Sequence, residues 1–401
     1  QPMSLGRGFI TLILLGFVSL FADIAYEGSR SVLGSYIRLF EASAVIASAL
    51  AIGDFVGYLL RLVSGIVIGS TASPRVLWGF VVGGYLVNLC TVPLLAFARS
   101  WQDVVMIIVA ERCGKGIRTP ARDVILAEVS EGIGKGRGFG IHELMDQMGA
   151  VIGPIAVAMA IASRGYRYAF TILAIPAAIA VVLTIFGAYL YPEVRSLKAR
   201  RGIEVRLPRL GLRFLLYIAF VTMLCIGFLH WGIVSYYLKD VNAVNDHIIP
   251  LLYTVAMAID AAVAIPIGWL YDVYGLRVLV LAPIVASSIP VLLAFRTPIA
   301  ILIASCCWGF VMGVCETAMR AAVADLVEPT QRGYAYGVYN FVFGASWMCG
   351  SVLAGLIYDR SLHVIAIVMP ILCLASLIPL TPTASQRLGS VQPLRSFSAS
   401  R

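Results

Sequence analysis

Stretches long and apolar enough to cross a bilayer recur along the whole chain, and that recurrence constrains the fold more than any other feature. A hydrocarbon core takes about 20 apolar residues as a helix. Twelve such stretches stand at about 9–37, 43–69, 76–97, 101–127, 137–162, 167–190, 212–238, 247–271, 276–294, 298–326, 332–358 and 362–382. With 60% hydrophobic and 13% charged residues and a mean hydropathy of +0.92, an ordinary soluble protein is excluded. Backbone in lipid must satisfy its own hydrogen bonds, so the expected fold is all-α, an integral membrane protein of twelve transmembrane helices. The loops are too short for a separate soluble domain. Any chemistry must sit in the membrane.

The fourth stretch breaks the apolar pattern, with Glu111, Arg112, Lys115, Arg118, Arg122 and Asp123 between Ala110 and Glu128. On a helix, Glu111, Lys115, Arg118 and Arg122 form one row, with Arg112, Thr119 and Asp123 beside it. Cys113, Ile117, Pro120 and Val124 lie opposite. Each ionised group at the bilayer centre costs roughly 2.5–3.5 kcal/mol on insertion scales. Six in one span require a polar interior and partners.

Other spans supply those partners. Asp23, Glu27 and Arg30 share a row on the first, and Asp54 and Arg61 on the second are placed to pair with the first or fourth. An acid beside an arginine whose water access alternates can load and release a proton, so Asp23 or Glu27 against Arg112 is the expected relay; a static ion pair is the alternative. The fifth span places His142, Asp146, Gly149 and Gly153 in one row, with Glu143 and Gln147 beside it. Glu143 and Asp146 are expected to pair with Arg118 and Arg122 as an inner gate that breaks when the cavity opens inward, and the glycines to admit close helix approach. In the second half Glu316 and Arg320 are expected to satisfy each other at i, i+4. Asp260 lacks a local partner and is the better proton-site candidate there. Trp231, Tyr236, Tyr237, Trp308, Asn340 and Trp347 are candidate cavity residues, though for each aromatic, helix packing or an interface belt is the more common role.

The chain repeats. Gly65-x3-Gly69 followed by Pro74-Arg75-Val76-Leu77 matches Gly268-x3-Asp272-x2-Gly275-x-Arg277-Val278-Leu279, and Arg137-Gly138-Phe139-Gly140 matches Arg332-Gly333-Tyr334-Ala335-Tyr336-Gly337. Val32 to Arg38 matches Ile233 to Lys239. Two six-helix bundles, 1–190 and 212–382, are expected around a central site. A basic cytoplasmic linker (191–211) joins them, and a polar tail (383–401), disordered by composition, follows.

These motifs resemble those of the major facilitator superfamily, over essentially all spans. Gly268, Asp272, Gly275 and Arg277 are similar to the family's loop motif; its first-half copy has Gly69 where the acid would stand. Gly140-x8-Gly149-x3-Gly153-Pro154 resembles the fifth-helix motif of drug/proton antiporters, with Val157 and Ala158 in place of the final glycines. Arg112-x2-Lys115-Gly116 is similar to a fourth-helix motif whose arginine is implicated in proton coupling. The resemblance implies a secondary transporter, a proton-coupled exporter of a small organic solute or drug, with Arg122, Asp123, Gly149, Gly153 and Pro154 among its gating residues. Transport of an organic or phosphorylated anion on the cationic face of the fourth helix is the close alternative. A channel or scramblase is a more distant one, disfavoured by the repeat.

Loops that face the cytoplasm when both termini are inside hold the larger share of Lys and Arg, so the net charge of +9 reports orientation in a cell membrane. The basic residues are too dispersed for nucleic acid. The first apolar run is too long and too acidic for a cleavable signal peptide. No Walker A sequence, nucleophile–base pair or metal-ligand spacing stands in the chain, so neither enzyme nor cofactor is expected. The eight cysteines all fall within spans, as small packing residues. The expected partners are a small solute, protons and lipid, with the protein a monomer.

Overall fold

The computed structural model describes residues 5–70, 73–130, 135–192, 211–328 and 332–385; the expected linker and tail fall almost wholly outside these. Every regular element among them is helical. Ten segments are long and apolar enough to cross a membrane. The first is Gly8–Arg38, the second Ala44–Ile68, the third Pro74–Phe97, the fifth Gly138–Arg164 and the sixth Tyr166–Leu190. In the second half they are the seventh Leu212–Asp240, the tenth Pro298–Leu326, the eleventh Tyr334–Tyr358 and the twelfth His363–Pro382. The remaining segment, Ile248–Ala294, contains two helices, the eighth span Ile248–Tyr274 and the ninth Leu281–Ala294. Trp101–Val129, too charged to be recognised by hydropathy, is the fourth span, giving twelve.

Local chemistry sets the ends of the fourth and tenth spans alike. Ser100 caps the fourth, accepting from the Asp103 amide at 3.3 Å, while the Asp103 carboxylate takes the Ser100 amide at 3.2 Å. Thr297 caps the tenth, accepting from the Ala300 amide at 3.3 Å. Gly275, at φ +60, ends the eighth. Its conformation is open to glycine and costly for most residues.

Helices of the first half pack chiefly on one another, the first on the fifth and the second and third on the fourth. In the second half the eighth and ninth pack on the tenth, and the seventh on the eleventh and twelfth. Glycines set the tightest crossings. A Cβ on Gly149 or Gly153 would stand 2.4 Å from the Leu20 or Ile24 carbonyl oxygen of the first span. One on Gly116 would meet the Gly57 carbonyl oxygen at 2.6 Å. Small residues let helix backbones meet where lipid offers no hydrophobic drive.

The halves meet most closely at one end. There the first span breaks and resumes as the short helix Leu33–Arg38, and the seventh breaks at Phe228 and resumes as Trp231–Asp240. These are the two copies of the repeat, and they touch: a Cβ on Gly34 would stand 1.8 Å from the Gly232 carbonyl oxygen. Trp231 donates to the Ser31 carbonyl at 3.0 Å, and Tyr236 to the Ala42 carbonyl at 2.9 Å. Arg38 pairs with Asp240 at 2.6 Å, and Tyr358 donates to the same carboxylate at 2.6 Å. Asp359 accepts from the Ala44 amide at 3.0 Å. This end is sealed.

Candidate functional site

Below the seal, residues of both halves enclose a cavity of about 250 Å³. Its lining holds eight carboxylate side chains and seven cationic ones, a near balance. The acids are Asp23, Glu27, Asp54, Asp123, Glu143, Asp146, Asp260 and Glu316; the cations are Arg30, Arg61, Arg112, Lys115, Arg118, Arg122 and Arg320. Thus the charged rows expected from the sequence converge on one space. Asp54, Glu27 and Arg112 are 8%, 7% and 4% exposed beside the seal, whereas Glu143 and Arg320 at the other end are exposed. The cavity therefore opens at the Glu143–Arg320 end.

Next to the seal lies a network that crosses between the halves. Asp54 accepts from Arg112 Nε at 2.7 Å with one carboxylate oxygen and contacts His230 Nε2 at 2.7 Å with the other. Arg30 stands 4.0 Å from that second oxygen and 3.6 Å from Glu27. Glu27 accepts from Tyr253 of the eighth span at 2.5 Å. Arg112 also pairs with Glu111, which takes Asn88 of the third span; Glu111 is fully buried behind the cavity wall. Tyr26 lies under two cations, with Arg112 4.2 Å and the Lys115 amine 3.3 Å from its ring centre. Such stacking holds a desolvated cation without consuming a carboxylate.

Several expected pairs are replaced. Arg112 takes Asp54, not Asp23 or Glu27, because Gly53 and Gly57 bring the second span against it; a Cβ on Gly53 would stand 3.1 Å from the Arg112 side chain. The inner-gate pairs of Glu143 and Asp146 with Arg118 and Arg122, expected to break when the cavity opens on their side, are apart in this structure, whose cavity is open at that end. Arg118 turns to the third span, 4.0 Å over the Tyr85 ring and 3.4 Å from Asn88 Oδ1. Arg122 takes its neighbour Asp123 at 2.7 Å, Asp146 accepts from Ser19, and Glu143 takes Gln147 at 3.3 Å. Glu316 and Arg320 line the cavity but make no pair within 4.0 Å, because the tenth span breaks at Thr317 (φ −108, ψ −78) and the helical spacing is lost. Asp260 has neither an ion pair nor a hydrogen bond to a described residue, as its sequence context implies.

Of the aromatic candidates only Trp347 lines the cavity. Trp231 and Tyr236 serve the seal, Trp308 donates to the Leu229 carbonyl at 2.9 Å, and Tyr237 to the Leu293 carbonyl at 2.8 Å. Asn340 does not line it. Gly149 and Gly153 are packing contacts with the first span, with Pro154 inside the same helix. Gly268 borders open space, and Asp272, in the last turn of the eighth span, and Arg277, just beyond it, are exposed. Tyr26, Tyr58, Met257 and Met312 line the cavity without an ionic signal that would have marked them. His230 enters only through the fold, since its partner Asp54 is 176 positions away.

The sequence profile of the Major Facilitator Superfamily matches residues 15–243 and 216–399. An uncharacterised protein of Mycobacterium tuberculosis is 34% identical over 379 residues, covering 92% of this chain and 91% of the relative. An uncharacterised MFS-type transporter of Methanocaldococcus jannaschii is 28% identical over 365 residues, covering 87% and 88%. Among solved structures, the nucleoside transporter NupG superposes with a TM-score of 0.71 at 12% identity, covering 94% of this chain and all of that one (100%). A POT family transporter in complex with a thioalcohol-conjugated peptide gives 0.72 at 14% identity, covering 94% and 96%. Those two likenesses are of fold. On the family profile and its relatives, this chain belongs to the Major Facilitator Superfamily and is a multi-pass membrane transporter, not an enzyme.

Proposed function

We propose that the protein works by alternating access and exchanges a small organic solute for protons, in the direction of export, from a site between its two six-helix halves. The observation that supports this most is the carboxylate of Asp54, shared between Arg112 of its own half and His230 of the other. That second contact cannot survive separation of the halves at the sealed end. Opening there parts Asp54 from His230 and Glu27 from Tyr253, and admits water to both acids. Each acid then exchanges protons with one side only, which couples the conformational cycle to a proton gradient. In this reading Asp54 and Glu27 carry the proton, Arg112 and Arg30 hold the acids in place, and Asp23, Asp146 and Asp260 line the solute path. By the charge bias of the loops, the sealed end is external and the cavity opens to the cytoplasm.

The test uses proteoliposomes and a solute found by thermal-shift screening of the purified protein. Asp54→Asn is expected to lower pH-gradient-driven accumulation about tenfold or more while exchange without a gradient persists. Driven transport at the wild-type rate in both Asp54→Asn and Glu27→Gln overturns the coupling. A second reading, transport of an organic or phosphorylated anion, is favoured by Lys115 and Arg118, which face the cavity with no carboxylate within 4.0 Å among the described residues.

A further inference from the structure

The two halves carry charges of opposite sign at different positions of one shared frame. In the register that aligns Gly65 with Gly268, Gly53 aligns with Ala256 and Gly57 with Asp260. The fourth and tenth spans align through Gly116 and Gly313, whose Cβ atoms would meet the carbonyl oxygens of Gly57 (2.6 Å) and Asp260 (3.1 Å). The same register sets Arg112 opposite Gly309. Those residues cross the second and eighth spans at Gly53 and Ala256, the latter's carbonyl oxygen 2.0 Å from a Cβ on Gly309. Two independent crossings thus fix the correspondence.

Within it, the first half has Gly57 where the second has Asp260, and Lys115 where the second has Met312. One turn further along, Thr119 corresponds to Glu316. All six of these residues line the one cavity. A cation in one wall therefore stands at the level of two acids in the other. None of the three is spent: Lys115 rests its amine 3.3 Å from the centre of the Tyr26 ring, and neither Asp260 nor Glu316 has a hydrogen bond or ion pair to a described residue.

We propose that the transported solute is a small zwitterion held across the cavity, its anionic group on Lys115 and its cationic group on Asp260 and Glu316. The assignment rests on the transport reading above and adds the ligand's charge pattern to it. Asp23 and Asp146 also face the Lys115 side; Asp146 is engaged by Ser19, and Arg118 and Arg122 offset the pair. A lone anion would leave Asp260 and Glu316 side by side in one wall with no cationic group from the ligand. A lone cation would leave Lys115, half-buried on the Tyr26 ring, without an anionic group from the ligand. A dipolar ligand satisfies both walls with charge-assisted hydrogen bonds and leaves the near balance of the lining intact.

The test is ligand-induced thermal stabilisation of the purified full chain by matched triads. Leucine, phenylalanine and dialanine are compared with their methyl esters (cations) and N-acetyl derivatives (anions), with glycine betaine and glycerophosphocholine as permanent-cation zwitterions. A zwitterion is expected to stabilise while its singly charged relatives at equal concentration do not. Lys115→Met, which installs the residue the second half already uses, is expected to move preference toward the methyl ester. Asp260→Asn and Glu316→Gln are expected to move it toward the N-acetyl form. Equal stabilisation by a singly charged member, or none by any zwitterion, overturns the proposal. So does lost transport in these variants with charge preference unmoved, which would make the opposed charges a closing contact. Zwitterion binding without solute-induced proton flux in proteoliposomes would remove the coupling and leave this assignment standing; proton flux driven only by a singly charged member would do the reverse.

Discussion

The two ends of the interface between the halves are built on different principles. At the sealed end, contact is backbone on backbone, with Gly34 against Gly232, and polar side chains meet carbonyls, as Trp231 with Ser31 and Tyr236 with Ala42. In the cavity and at its open end, long charged side chains face water, and many have no ionic partner. A tight seal is specific but has only two states, because a glycine crossing either forms or is lost. A solvated array of charges is adaptable, since each group can exchange a water for a ligand. The network of Asp54, Arg112, His230, Glu27 and Tyr253 lies where the two regimes meet, and so can report one to the other.

The seal can be broken without touching a charge. Gly34→Val puts side-chain atoms where the Gly232 carbonyl now lies, at 1.8 Å from the first added carbon. The halves can no longer close there, while each bundle keeps its own packing. Ser31 and Ser235, both fully buried, are the reporters. A cysteine at either is expected to resist a membrane-impermeant maleimide in the parent and to react in Gly34→Val, with transport reduced to background. Gly268→Ala, which meets nothing within 4 Å, is the control and is expected to change neither. Protection unchanged in Gly34→Val would mean that the seal does not depend on this crossing.

The junction is tested next by Arg112→Lys. Arg112 reaches Asp54 through Nε and Glu111 through Nη1, and covers Tyr26 with its planar face. An ammonium is a point charge and cannot make all three contacts. Because a buried partner is then left unanswered, a destabilisation of about 3 kcal/mol is expected, toward the lower end for broken buried pairs. The melting temperature and the solute flux should fall together. A stable variant with wild-type flux would show that only the charge matters.

These regions were not equally legible from the sequence. The twelve spans and the repeat could be read because hydropathy and spacing are properties of single segments. The membership of the cavity was legible as well: a charge in a membrane span is tolerated only in a polar interior, so Asp23, Asp54, Lys115, Asp146 and Asp260 had one place to go. Their pairing was not. Whether Arg112 meets Asp54 or Glu27 depends on how closely Gly53 and Gly57 let the second span approach, which no helical wheel of the fourth contains. Glu316 and Arg320 failed as an i, i+4 pair because a break at Thr317 intervened, with no proline or glycine at that position to announce it. Tyr26 and Tyr253 were hidden for another reason. An aromatic ring in an apolar span looks like packing until a cation or acid is placed against it.

The mildest test asks how much of the seal is hydrogen bonding and how much is shape. Trp231→Phe removes the indole donor to the Ser31 carbonyl, 3.0 Å long, and keeps an aromatic ring against Tyr253 and Trp308, whose ring centres lie 4.9 and 5.3 Å away. A neutral hydrogen bond contributes about 1 kcal/mol net, so its loss should shift the balance between sealed and open forms roughly fivefold. The released carbonyl gains water only when the end opens, which pushes in the same direction. Maleimide reactivity of a cysteine at position 235 should rise by that factor, with flux still measurable. A rise as large as in Gly34→Val would make the indole hydrogen bond, and not the glycine crossing, the element that closes this end. No rise at all would assign closure to shape alone.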